Sequence, residues 1–255
     1  MRNDLKRASA LAGMALMVLV AGCDRKADNP DDGVVVSDSS RQGQSMVRVV
    51  NAVPSTASVD VTTDDASTFS AVTFKTVTPY KTVRDNMVTF ALRSAGSAPG
   101  DTVKPLAENR EMLSDGDRYT IIALPGANPD DDPRLRVLEE PTDLGDPAKA
   151  RLRFVNAAPG LATFDVQVPN NDGEFFDDVD FGTEAGFKDM DAATGAIVVR
   201  ADDGGAVLLT LPERAYEPGK TYTVIITNRT PTGKQLEAIV VEDDVATVTA
   251  PTAGQ

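Results

Sequence analysis

The 255-residue chain contains no histidine and no tryptophan, and its single cysteine is Cys23. Each absence removes a class of chemistry. Without histidine there is no Ser-His-Asp or Cys-His arrangement and no imidazole to hold zinc. One cysteine cannot build a disulfide framework within the chain. Without tryptophan, a carboxylate-pair glycosidase would lack the usual indole platform for its sugar. Positive charge is also scarce: 25 Lys and Arg stand against 39 Asp and Glu, a formal net charge of −14. That balance opposes binding to a phosphate backbone and electrostatic adhesion to anionic lipid. No Walker A or Rossmann glycine pattern occurs, since Thr232-Gly233-Lys234 lacks the upstream glycine. The expectation is no catalytic residue, no cofactor, no bound metal and no nucleic-acid partner, with the acidity serving solubility.

What is present begins with the N-terminus. Residues 1–7 are short and basic, and residues 8–21 are small or apolar, with Leu11, Met14, Leu16, Met17, Val18, Leu19 and Val20 as the hydrophobic stretch. This is a signal-peptide pattern, too short for a comfortable membrane span. It ends in Val20-Ala21-Gly22-Cys23, which resembles the lipobox of bacterial lipoproteins. The resemblance implies cleavage after residue 22, a lipidated Cys23, and membrane lipid as the partner of its acyl chains. Two or three such chains anchor durably where one does not. Asp24 resembles the inner-membrane retention signal of enteric bacteria; other lineages read different positions, so both membranes stay open. Residues 23–45 read as the lipidated cysteine and a polar, disordered tether, spanning ~25 Å as a flexible coil.

Beyond the tether the sequence repeats itself. Met46-Val47-Arg48-Val49-Val50-Asn51-Ala52-Val53-Pro54 returns as Arg151-Leu152-Arg153-Phe154-Val155-Asn156-Ala157-Ala158-Pro159. The segments Ala57–Val61 and Ala162–Val166 match, as do Val72-Thr73-Phe74 with Tyr80 and Val179-Asp180-Phe181 with Phe187. Near the end of each copy, Gly116 and Tyr119 answer Gly219 and Tyr222. Matched segments in one order mark a tandem duplication. The copies are expected at 46–139 and 150–243, with a Pro- and Gly-containing linker at 140–149 and a tail at 244–255.

Each copy alternates as half-buried strands do. Val47 and Val49 face one way and Arg48 the other; Leu152 and Phe154 oppose Arg151 and Arg153. The second strand of each copy is expected to bury Val59 and Val61, or Phe164, Val166 and Val168. It would expose Asp60 and Asp165, either solvated or paired across strands with Arg48 and Arg153. Further strands are expected at 87–93, 118–124 and 134–139, and at 196–201, 206–212, 220–228 and 235–241. Short strands separated by turns such as Ser114-Asp115-Gly116 and Glu217-Pro218-Gly219 predict an all-β chain of two tandem immunoglobulin-like sandwiches.

The opening Val-Arg-Val-Val-Asn-Ala-x-Pro, the x-Val-Asp-Val that follows, the central Val-x-Phe and the late Gly-x-x-Tyr-Thr resemble the bacterial family called domain of unknown function 4397. The resemblance spans both copies and implies exported, envelope-associated β-sandwiches. It supplies no catalytic residue to carry over. The Asn170-Asn171-Asp172-Gly173 insertion departs from the first copy.

The polar positions read mostly as structure. Asn51 and Asn156, each followed by proline, should satisfy backbone groups at a strand end. Asp130-Asp131-Asp132, and Asp172 with Glu174, Asp177 and Asp178, are oxygen-rich but lack EF-hand spacing; they read as solvated charge. The sequence thus predicts a lipid-anchored envelope protein with a structural or protein-interaction role and an envelope protein as partner. A small-ligand or calcium-binding receptor is the alternative.

Overall fold

The computed structural model describes residues 43–244 except 56, 65, 85, 98–103, 129, 142–144 and 203. The expected signal peptide, Cys23, most of the tether and the tail after 244 lie outside the described residues. The chain is all-β, with no helix among the described residues.

The first copy contains β1 (Gln44–Asn51), β2 (Val59–Thr63), β3 (Ala66–Val72), β4 (Lys81–Arg84), β5 (Asn86–Ser94), β6 (Ala107–Leu113), β7 (Arg118–Leu124) and β8 (Arg134–Glu139). They form two sheets, β4-β1-β7-β8 and β3-β2-β5-β6. The second copy contains β9 (Lys149–Ala157), β10 (Asp165–Gln167), β11 (Glu184–Asp191), β12 (Ala193–Gly195), β13 (Val198–Arg200), β14 (Val207–Thr210), β15 (Arg214–Tyr216), β16 (Lys220–Asn228) and β17 (Leu236–Asp244). It repeats the first sheet as β11-β9-β16-β17 and divides the second into β10-β13-β14 and β12-β15. In both copies the opening strand pairs in parallel with the late Tyr-Thr strand, β1 with β7 and β9 with β16. The expected sandwich is therefore present twice.

Each sandwich has its own core. Val47, Val49, Phe69, Phe90, Leu92 and Ile121 fill the first. Leu152, Phe154, Phe164, Phe176, Tyr222 and Val224 fill the second. The alternation in β1 and β9 places these side chains inward, as the sequence predicts.

The opposite faces of the same strands are not solvated. Val50, Ala52, Ile122, Leu124 and Leu138 meet Val155, Ala157, Ile225, Ile239 and Val241 in a third buried cluster. The two sheets that hold β1 and β9 thus pack back to back, and the copies belong to one compact unit. Burial contributes about 1.5–3 kcal/mol for each Val, Leu or Ile side chain, so separating the copies would be costly.

The arginines that alternate with the core residues lie in this inner layer. Arg48 and Arg153 are 5% and 4% exposed and both donate to Glu140, itself 3% exposed, at 3.2 and 2.7 Å. Arg48 also forks onto Asp243 of the second copy at 2.8 and 2.6 Å. Its Nε donates to Thr120 Oγ1, and Arg153 Nε donates to the matching Thr223 Oγ1, each at 2.8 Å. Tyr80 stacks on Arg48 at 4.6 Å, and its counterpart Phe187 stacks on Arg153 at 4.5 Å. Each repeated arginine thus has the same hydroxyl and the same ring position beside it. Burial, followed by the Glu140 carboxylate, pushes the Tyr80 phenol up to about 12. Glu140, expected in the linker, is a buried acceptor for both copies.

Two expectations fail here. Asp60 and Asp165 are buried, at 6% and 0% exposure, and neither pairs with Arg48 or Arg153. Each carboxylate instead accepts two backbone N–H groups: Asp60 from Ala71 and Gly96 at 2.6 and 2.9 Å, Asp165 from Asp178 and Gly204 at 3.2 and 3.3 Å. Loop backbone would otherwise be left without partners inside the protein, which costs more than desolvating a well-bonded carboxylate.

Candidate docking surface

The direction of the strands sorts the loops into two ends. At the first end β1 starts, held by Gln44 N–H on Asp115 Oδ1 at 2.8 Å and by Ser45 Oγ on the Ser114 carbonyl at 2.7 Å. Here β17 also finishes, where Asp244 is the register partner of Lys220. At the second end β1 and β9 both run out into their Asn-Ala-x-Pro motifs. The loops between β7 and β8 and between β16 and β17 lie at this same end.

The two asparagines shape this end without being available to a ligand. Asn51 Nδ2 donates to the Val72 carbonyl at 2.9 Å, and its Oδ1 accepts the Val53 N–H at 3.0 Å. Asn156 donates to the Leu161 and Val179 carbonyls at 3.1 and 3.0 Å and accepts the Ala158 N–H at 3.1 Å. A short amide that closes a turn on itself is a common device where a strand ends.

The copies are stitched together here too. Thr227 Oγ1 of the second copy donates to the Ala52 carbonyl of the first at 2.9 Å; within the second copy it also reaches the Ala157 carbonyl at 3.3 Å, and Asn228 Nδ2 donates to the Pro159 carbonyl at 3.1 Å. The β7–β8 loop is closed by Asp131 Oδ2, which accepts from Asn128 N–H and Nδ2 at 3.0 and 2.8 Å. A Cβ on Gly126 would stand 2.4 Å from that of Asp131, so the close approach requires glycine. The β16–β17 loop is closed by Arg229 N–H on the Gln235 carbonyl at 2.8 Å.

Two open grooves result, both lined by both copies. One, of about 340 Å³, runs between Asn128, Pro159, Leu161, Leu208 and the 231–236 segment. The other, of about 210 Å³, is lined by Pro54, Pro125, Asp131, Pro133, Pro159 and Pro231. They share Asn128, Pro159 and Pro231. Proline-fixed, hydrogen-bonded walls lose little entropy on contact. Neither sandwich could make these grooves alone, and sequence periodicity gives no sign of them.

A third groove, of about 470 Å³, marks a difference between the copies. In the first, β6 is continuous and Asn109 Nδ2 donates to the Leu135 carbonyl at 3.1 Å, tying the edges of the sandwich together. In the second, Pro212 stands between β14 and β15, and Leu211–Ala215 faces Ala238, Val240 and Glu242 across the opening.

Of the acidic loops, Asp130 and Asp132 are exposed. The other loop is partly assembled around Asp165, a buried residue that strand alternation alone assigns to the surface. The carboxylate oxygens of Asp165, Asp178 and Asp202 lie within 4.8 Å of one another, as do those of Asp165, Glu174 and Asp177; Asp172 is in neither group. Asp202, with Asp177 behind it, holds the Asp178 carboxyl above the usual carboxylate range. Asp178 sits at a φ of 51°, a left-handed conformation that Asp tolerates better than most residues.

Comparison with known proteins gives little beyond the family. No curated protein matches the chain. The C-terminal domain of AlgF from Pseudomonas aeruginosa aligns over 38% of this chain and 99% of its own, with 14% identity and a TM-score of 0.30. A Bacteroides uniformis protein provisionally described as a cell adhesion protein aligns over 82% of this chain and 99% of its own, with 13% identity and a TM-score of 0.26. Across the first sandwich and the opening of the second, at residues 45–167, the chain matches the family described as Domain of unknown function (DUF4397).

Proposed function

We propose that the protein is a non-catalytic interaction module of the bacterial cell envelope, held by lipid on Cys23 and meeting an envelope protein through the end where both Asn-Ala-x-Pro loops converge. The observation that carries this reading is the pair of grooves lined by both copies, at the end opposite the start of β1. The proposed tether joins the chain at the start of β1, at the opposite end. The absence of histidine from the sequence supports a role without acid–base chemistry. The distinctive repeated side chains, Asn51, Asn156, Asp60 and Asp165, are used on backbone groups and leave shape and charge as the means of recognition.

The test is site-specific photocrosslinking in intact cells. A photoreactive residue at Asn128 is expected to capture a protein, and one at Asp115, at the opposite end, is not. Equal capture from both positions, or none from Asn128, would reject the assignment of this end. Mass spectrometry of the mature protein checks the anchor: an unmodified Cys23, or a mature start elsewhere, would remove the tether.

A further inference from the structure

The two hairpin loops that flank the grooves occupy equivalent places in the two copies, yet their charges are opposite. The β7–β8 loop carries Asp130, Asp131 and Asp132 and no Lys or Arg; the β16–β17 loop carries Arg229 and Lys234 and no Asp or Glu. All five residues are exposed. Asp131 is engaged with Asn128. Asp131, between Asp130 and Asp132 in the same loop, lines one groove, and Lys234 lines the other.

We propose that this end is a self-complementary surface, and that its occupant is a second copy of this chain. The proposal rests on the reading of this end as the docking surface and names its partner. A two-fold contact places each patch of one molecule on the complementary patch of the other. Turned about an axis through the grooves, the acidic loop of one molecule meets the basic loop of its mate, twice over. The prolines between them, Pro54, Pro159 and Pro231 among them, supply the apolar centre. An unrelated basic partner would satisfy the acidic loop and oppose Arg229 and Lys234, whereas a second copy satisfies both.

The net charge of −14 gives the contact an unusual salt dependence. At about 0.01 M salt the screening length is about 30 Å, so the two acidic bodies repel as wholes. At about 0.15 M it is about 8 Å: body repulsion fades while loop-to-loop contacts survive. At about 1 M it is about 3 Å, and the loop attraction is screened as well. Association therefore peaks at intermediate salt. A purely apolar contact would strengthen steadily with salt.

The experiment is sedimentation equilibrium on the mature chain carrying Cys23→Ser, across this salt range, with two charge-reversal variants. One is Asp130→Lys with Asp132→Lys; the other is Arg229→Glu with Lys234→Glu. All four positions are exposed loop residues, and circular dichroism checks that each variant is folded. The wild type is expected to dimerise with a maximum near about 0.15 M salt. Each variant alone should associate about tenfold more weakly or worse, since like charges then face each other. An equimolar mixture of the two should recover the dimer, because the reversed loops complement one another. A wild type that stays monomeric throughout, a dimer that strengthens steadily up to the highest salt, or a mixture no tighter than its components would overturn the proposal. A monomeric wild type together with capture of a different protein at Asn128 would overturn self-association while keeping the docking end.

Discussion

The two copies share a plan and differ in how tightly it is closed. In the first, β6 runs unbroken beside β5, and Asp60 holds its loops with bonds of 2.6 and 2.9 Å. In the second, Pro212 divides the outer sheet, and Asp165 reaches its backbone partners at 3.2 and 3.3 Å among other carboxylates. Both nevertheless present an almost identical inner sheet to each other. Duplication kept the face the copies share and let the outer faces diverge. Conservation of form within this molecule follows the shared core rather than the individual sandwich.

The largest effect should come from breaking that shared layer. Glu140→Ala removes the acceptor common to Arg48 and Arg153: the buried Arg153 loses its counter-charge, while Arg48 keeps Asp243. It is expected to cost about 3–5 kcal/mol in chemical denaturation. Because the layer belongs to both copies, native-state hydrogen exchange should show the loss equally at Ile121 and Val224. A loss confined to one copy would mean that the sandwiches unfold independently.

A smaller effect sharpens the contrast between the two buried aspartates. Asp60→Asn weakens two short charge-assisted bonds and should cost about 1–3 kcal/mol. Asp165→Asn loses longer bonds and also relieves repulsion from its acidic neighbours, so its cost should be clearly smaller. Paired urea melts compare them, and equal losses would show that the acidic surroundings of Asp165 carry no energetic weight.

The smallest expected effect is a gain. The folded-state carboxyl of Asp178 lies above its unfolded value, so the folded protein binds a proton more readily. Stability then falls as pH rises through that window, and the penalty is complete above it. Asp178→Asn removes the repulsion and suits the positive φ. Its Tm should exceed that of the wild type at neutral pH and converge with it in acid. Millimolar calcium should leave the wild-type Tm lower than that of Asp178→Asn. If calcium instead lifts the wild type past the Tm of Asp178→Asn, the cluster binds the cation.

Much of this fold was legible in the sequence, for identifiable reasons. The repeat, the apolar alternation and the turn residues located β5, β7, β8, β16 and β17 closely, and the resemblance carried by Val-Asn-Ala-x-Pro agrees with the family matched over 45–167. The edge strands β4, β6 and β11 were missed because Lys-Thr-Val-Arg, Ala-Glu-Asn-Arg-Glu-Met-Leu and Glu-Ala-Gly-Phe-Lys-Asp-Met-Asp show little apolar alternation. The inner layer was missed for another reason. Period-two reading assigns a face to each residue but does not say what covers that face. A cue was available in Val49-Val50, Ile121-Ile122, Phe154-Val155 and Ile225-Ile226. Adjacent apolar residues mark strands buried on both sides, and arginines between them need buried partners. The groove end was not legible, because it depends on how two distant loops in each copy meet.

The parallel pairing of β1 with β7 has a mechanical consequence. In the proposed arrangement the lipid anchor pulls on the start of β1 while a partner holds the opposite end. That load runs along β1, across the bonds that join Met46–Asn51 to Arg118–Ala123. Bonds loaded in shear must give way together, whereas bonds peeled from one end fail in turn. Rupture under load is governed by the unfolding rate rather than by equilibrium stability. The strand that would receive the tether is also the one flanked by β4 and β7 and covered by the second copy, so it is well placed to bear force.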